Sequence, residues 1–204
     1  MVYFRATLRG RSLVRGENHR DRVISLQEEA NYLAAATEPL ASIATILVDT
    51  GLRPEECFRL RWEDLRLTGE RYGTLQVTHG KTKAARRLIP LTPRVRSLLE
   101  ARWQSGGKPI EGFVWPAPTK YGHVWHDSIR CQHKTALKLS KVQPFVIYAL
   151  RHTFLTRLGE GGCDVWTLAR IAGHSSIKMS ERYVHPSQDA VLAVMSRLSL
   201  PVSQ

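Results

Sequence analysis

The sequence predicts a mainly helical α+β domain with one small antiparallel sheet, and three observations lead there. Helix-start signals, a Ser25/Glu28 pair and prolines at 39, 54 and 93, each precede residues suited to a helix. Only two stretches, Thr74–Thr78 and Leu88–Leu91, read as strands, and they flank a single basic turn. No internal repeat, low-complexity tract or compositional break divides residues 22–200.

Taken in order, residues 1–22 are basic and nonperiodic, with Arg5, Arg9, Arg11, Arg15, Arg20 and Arg22, which suits a linker or arm along a phosphate backbone and equally a solvated tail. The domain itself is expected over 23–200. Ser25 and Glu28 form a capping-box pattern ahead of a helix to Ala36. Pro39 opens a second helix, whose Ile43, Ile46 and Leu47 form a buried stripe before Gly51 ends it. Pro54 starts a short third helix, so Arg53 falls at a junction that can aim its side chain inward. After the two strands, Pro93 starts a helix ending near Gln104, and the Gly- and Pro-rich stretch 105–122 reads as loop. Helices are then expected at 127–139, 146–159, 164–172, 176–184 and 187–198.

Composition narrows the partners. With 30 Lys+Arg against 18 Asp+Glu the net charge is +12, which favours a polyanion, nucleic acid ahead of an anionic membrane surface. The longest apolar run, Leu40–Val48, is interrupted by Ser42 and Thr45 and falls short of the roughly 18 residues a membrane span needs. No secretory signal is evident at the N-terminus, and a cytosolic location is expected. Cys57, Cys131 and Cys163 lack the spacing of a disulfide framework or zinc site.

Four separated segments carry polar groups that are costly to bury without purpose: Arg53, the turn 81–87, Arg151 with His152, and His174 followed by Tyr183. Together they suit the handling of an anion. Two guanidiniums can hold nonbridging phosphate oxygens and offset the charge of a pentacovalent transition state. A lysine can protonate a leaving oxygen, and a tyrosine phenol can be a covalent nucleophile. Neither a metal nor a nucleotide cofactor is required.

Over roughly residues 22–197 these segments resemble, in order, the tyrosine recombinases, also called phage integrases. The run Thr50-Gly51-Leu52-Arg53-Pro54-Glu55-Glu56, followed by Leu60, Trp62 and Asp64, resembles the first box of that family. The resemblance implies Arg53 as the first catalytic arginine and Glu56 as its acidic support. Gly80–Leu91 is similar to the family's hairpin, whose lysine is the general acid for the 5′-hydroxyl; Lys81 fits that place, with Lys83 the alternative register. Lys83, Arg86 and Arg87 are candidate DNA contacts. Tyr148-Ala149-Leu150-Arg151-His152-Thr153-Phe154 resembles the second box and implies Arg151 as the second phosphate clamp. Tyr148 stands where the family usually has a histidine, and with a reference pKa near 10 it is a poorer proton shuttle. Leu168–Ser176 resembles the third box, which implies that His174 hydrogen-bonds the scissile phosphate and that Tyr183 is the nucleophile. Ser175 or Ser176 can cap the helix that carries Tyr183.

Structural readings stand beside these. Tyr148 lies among Val146, Ile147 and Leu150 and suits core packing, His152 reads as a satisfied packing histidine, and Arg86 and Arg87 suit solvated charge as well as DNA contact. The resemblance implies cleavage of duplex DNA through a 3′-phosphotyrosyl link, within a homotetramer assembled on DNA from subunits that are monomers without it. It also implies that a C-terminal helix with Val191, Leu192, Met195 and Leu198 docks on a neighbour; folding back on its own domain suits the same pattern. The separate helical DNA-binding domain usual in the family is not found before residue 23, so a catalytic fragment cut at the interdomain linker is expected ahead of a naturally short member with a weak grip on DNA. The competing functions are a DNA-binding module of the same fold without catalysis and a type IB topoisomerase.

Overall fold

In a computed structural model, which describes residues 21–67, 72–80, 83–184 and Leu192, Met195 and Ser196, the chain is mainly helical with one three-stranded antiparallel sheet. Helix α1 (Leu26–Ala35) starts as its sequence demands. The Ser25 hydroxyl accepts the Glu28 N–H at 3.2 Å, and the Glu28 carboxylate accepts the Ser25 N–H at 3.0 Å. Helix α2 (Leu40–Thr50) is buried along nearly its whole length and ends at Gly51. Helix α3 (Pro54–Phe58) follows with proline in its first turn.

The sheet order is β1 (Leu65–Arg66), β2 (Thr74–Val77), β3 (Arg87–Pro90), with Leu75 opposite both Leu65 and Ile89. The two longer strands match expectation to within a residue. Strand β1 was not expected, because two residues are too few to display alternation. Helix α4 (Pro93–Ser105) is capped by Thr92 and is followed by the expected loop. Helices α5 (His126–Ser140), α6 (Tyr148–Glu160) and α7 (Val165–Ala172) lie where the sequence puts them.

Helix α8 (Lys178–Glu181) is shorter than the expected 176–184. Neither Ser175 nor Ser176 caps it: the cap position is Ile177, whose side chain offers no acceptor. The helix expected at 187–198 falls largely outside the described residues, among them Val191 and Leu198; Leu192 and Met195 are helical and exposed.

The main core joins α2, the sheet, α4, α5 and the start of α6 through Ile43, Leu47, Leu52, Phe58, Leu75, Leu99, Trp115 and Leu150. A second, smaller cluster of Leu155, Leu168 and Ala172 sits between α6 and α7, and Phe154, Leu158 and Tyr183 pack on it. Buried Glu29 of α1 holds Arg94 of α4 and Arg157 of α6, which ties the helices around α2. Among the described residues no helix is long and apolar enough to cross a membrane.

Candidate active site

The α2–α3 junction, β3, the end of α7 and one face of α6 converge on a single cluster of charge. The Arg53 N–H and Nη1 donate to the two oxygens of Glu56, each at 2.8 Å, and Nη2 donates to the Gly173 carbonyl at 2.9 Å. Glu56 also receives both Nη groups of Arg87, at 3.0 and 2.9 Å. Burial pushes the Glu56 carboxyl up, but the bonds and charges of Arg87 and Arg53 outweigh it, so Glu56 is held below its ordinary value.

Arg87 therefore behaves differently from a DNA contact. Its side chain is 3% exposed, and its remaining donors go to the carbonyls of Ile171, at 2.7 Å, and Ala85, at 2.8 Å. It braces β3 against the end of α7. Gly173 is glycine for that reason: its φ is 66°, and a Cβ there would stand 2.8 Å from Arg87 Nη1.

Arg151 is fully buried on α6. Nη1 donates to the Gly51 carbonyl, Nη2 to the Ala172 carbonyl at 2.7 Å, and Nη2 also lies 3.3 Å from His174 Nε2. Its Nε–H has no acceptor. Burial first, and then the charge of Arg53, lower its pKa to about 10, so it stays a cation at neutral pH. Arg53 and Arg87 thus share the one Glu56 carboxylate, and Arg151 adds a third guanidinium nearby, an excess of positive charge that favours an anion. Arg53, whose side chain is 29% exposed, is reachable from outside; Arg151 is not.

His174 bridges this cluster to the segment that carries Tyr183. Its Nδ1 lies 2.8 Å from Ser180 Oγ, and its ring stacks on Tyr183 with centroids 6.4 Å apart. Burial, then Arg151 and Arg53, press its pKa to about 4, so the ring is neutral at neutral pH. Tyr183 is half-buried, and its Oη lies 3.1 Å from His152 Nδ1. Burial raises the pKa of this phenol, which arrives at neutral pH still carrying its proton. The Arg182 guanidinium lies 5.3 Å from the Tyr183 ring centre and donates to Asp21 at 2.7 Å.

The remaining expected residues fall apart from this set or outside the described residues. Lys81 lies outside them; for Lys83 only the backbone, in the 3₁₀ turn Lys83–Ala85, is described. Arg86 is exposed beside buried Arg87. Tyr148 does not pack in the core as expected: it is 37% exposed at the first turn of α6, near enough to influence Arg151, Arg182 and Tyr183 electrostatically. Among the described residues no three His, Cys, Asp or Glu side chains cluster as a metal site.

His152 reads from sequence as a packing histidine, and the expected site includes none of Ser180, Asp21 and Gly159. His152 follows Arg151 by one residue and so points about 100° further round α6, toward Tyr183 instead of the arginines. Gly159, two turns on, carried a readable signal, since a glycine inside a helix costs about 1 kcal/mol and asks for a packing reason. The reason is the Tyr183 carbonyl, which a Cβ at Gly159 would approach to 1.8 Å.

The family model described as the phage integrase family matches residues 18–189, a span that includes every group in this cluster. The chain belongs to the phage integrase family. Among curated relatives, this integrase-family chain is 30% identical to the prophage integrase IntF of Escherichia coli K12 over 148 residues, 71% of this chain and 30% of that protein. It is 29% identical to the tyrosine recombinase XerD of Lacticaseibacillus casei, over 78% of this chain and 55% of that one. The chain thus spans about half or less of the length of these relatives. Its fold resembles the Tn1549 transposon integrase in complex with circular intermediate DNA, with a TM-score of 0.70 at 23% identity over 87% of this chain and 67% of that one. The catalytic domain of bacteriophage HP1 integrase gives a TM-score of 0.63 at 23% identity over 89% of this chain and 98% of that one.

Proposed function

We propose that residues 23–200 form a catalytic unit that cuts and rejoins duplex DNA, with Tyr183 as the nucleophile. The Tyr183 oxygen attacks a backbone phosphorus, the bond to the 5′-oxygen breaks, and a 3′-phosphotyrosyl link stores the bond energy for rejoining. Arg53, Arg151 and His174 bind the phosphate and stabilise its transition state, with Glu56 holding Arg53 in place. Lys81, or Lys83 in the alternative register, protonates the departing 5′-oxygen. Arg86 contacts the DNA backbone. The full reaction runs in a homotetramer on two duplexes in the cytosol, from subunits that are monomers without DNA.

One observation carries the reading: a guanidinium cluster short of carboxylates adjoins, through His174, a phenol whose hydroxyl is already hydrogen-bonded to an imidazole. The family's recombinase members and DNA-bound structural neighbours agree with it. The complete burial of Arg151 favours a second reading, a module that binds DNA without cutting it.

A nicked suicide duplex, chosen by binding selection from a randomised pool, separates the two. The chain is expected to form a covalent adduct with it, and Tyr183→Phe to bind equally well and form none. Tight binding with no adduct from the unaltered chain supports the second reading.

A further inference from the structure

Tyr183 enters the reaction as a protonated phenol, and something must take its proton as the oxygen attacks. Tyr148 occupies the place of the histidine that the resemblance leads one to expect, and it stands at the exposed start of α6. His174 is poorly placed for the task, because Nδ1 faces Ser180 and Nε2 faces Arg151. His152 has Nδ1 on the Tyr183 hydroxyl itself, 3.1 Å away. Geometry of this kind, with base and nucleophile in hydrogen-bond reach, is what proton transfer needs.

Two further features fit His152 for the part. It is nearly buried, and burial, followed by the charge of Arg182, holds its pKa below the ordinary histidine value, so the ring is neutral and Nδ1 can accept. A hydrogen bond with the Asp21 backbone, together with the Asp21 carboxylate, favours the protonated ring and would ease the charge it acquires. A third group that orients the base of a nucleophile–base pair is a recurring arrangement in covalent catalysis.

Resting on the proposed strand-cutting activity, we infer that His152 is a catalytic residue, the general base that takes the Tyr183 proton on to Nδ1. During cleavage the Oη–H bond breaks, the Oη–P bond forms and the P–O5′ bond breaks; the Tyr183 proton ends on His152, and the 5′-oxygen takes its proton from the lysine acid. During rejoining the imidazolium returns the proton to the departing Tyr183 oxygen. Arg151 and His152 thus divide the work of α6: one residue faces the phosphate cluster and the next faces the nucleophile.

The test uses the full chain and the selected nicked duplex. His152→Asn keeps a polar group at the Nδ1 position without its basicity. Adduct formation should slow by about 100-fold with duplex affinity unchanged, in keeping with the usual size of general-base catalysis. His152→Ala should be equally slow and should recover as imidazole is added. Rates for His152→Asn within threefold of the unaltered chain, or a folded His152→Ala indifferent to imidazole, overturn the inference while leaving the strand-cutting reading intact. No adduct from the unaltered chain overturns both.

Discussion

The arginine cluster and the segment that carries Tyr183 meet on α6, and they are held by different means. Arg53 and Arg87 are tied to Glu56, and all three arginines, Arg151 included, to the carbonyls of Gly51, Ala85, Ile171, Ala172 and Gly173, beside the main core. Tyr183 follows a four-residue helix and packs on a cluster of three buried side chains, with its hydroxyl on His152. Removing a tie from the first region should cost stability. Loosening the second should cost reaction rate while leaving the fold intact, because small, lightly packed units open at low free energy. Under the proposed function, a phosphate grip that stays put while the Tyr183 segment moves would suit a unit that both cuts and rejoins.

The largest effect is expected from Glu56→Gln. It removes the carboxylate between two arginines, leaves Arg87 buried without its counter-charge, and should destabilise the fold by about 3–5 kcal/mol, on the order of 10 °C in the thermal midpoint. A midpoint unchanged within a degree would mean that Glu56 does not hold the cluster. Gly159→Ala is the opposite case. Its Cβ collides with the Tyr183 backbone, so the adduct rate should fall at least about tenfold while the midpoint moves little. Equal loss of stability and rate would erase the distinction between the regions.

Acid should act on their junction. His174 has a folded pKa of about 4 against an ordinary 6.5, so the unfolded chain binds its proton first. Its contribution to stability is intact above pH 6.5 and is lost as the pH falls toward 4. Thermal midpoints measured across that window should decline, and His174→Asn should flatten the decline; an unchanged slope would show that His174 is not held neutral. The smallest effect is expected from Asp21→Asn, which breaks a half-exposed pair with Arg182 worth up to about 1 kcal/mol. Its midpoint should shift by no more than a few degrees, and a larger shift would show that the N-terminal segment clamps Tyr183 more firmly than the pair implies.

The same contrast governs what the sequence reveals. Helices announced by Ser25, Pro54 and Pro93, and the paired strands around one basic turn, were legible because caps and alternation are local signals. Arg53, Glu56, Arg151 and His174 were named from their boxes, and the structure brings them together. Other features depend on long-range packing that one sequence does not encode visibly. Arg86 and Arg87 look alike on paper, yet Arg86, just before β3, is exposed and Arg87, its first residue, is buried against Glu56. Tyr148, apolar by its neighbours, faces solvent because α6 begins there. His152 read as packing because nothing local says that Tyr183, many residues away, docks on its face of the helix.

The most direct measurement is to trap the adduct with the nicked duplex, digest it with protease and locate the nucleotide-bearing peptide by mass spectrometry. A single modified residue, Tyr183, joined to a 3′-phosphate is expected. DNA attached to another residue, Tyr148 included, or linked through a 5′-phosphate would contradict it.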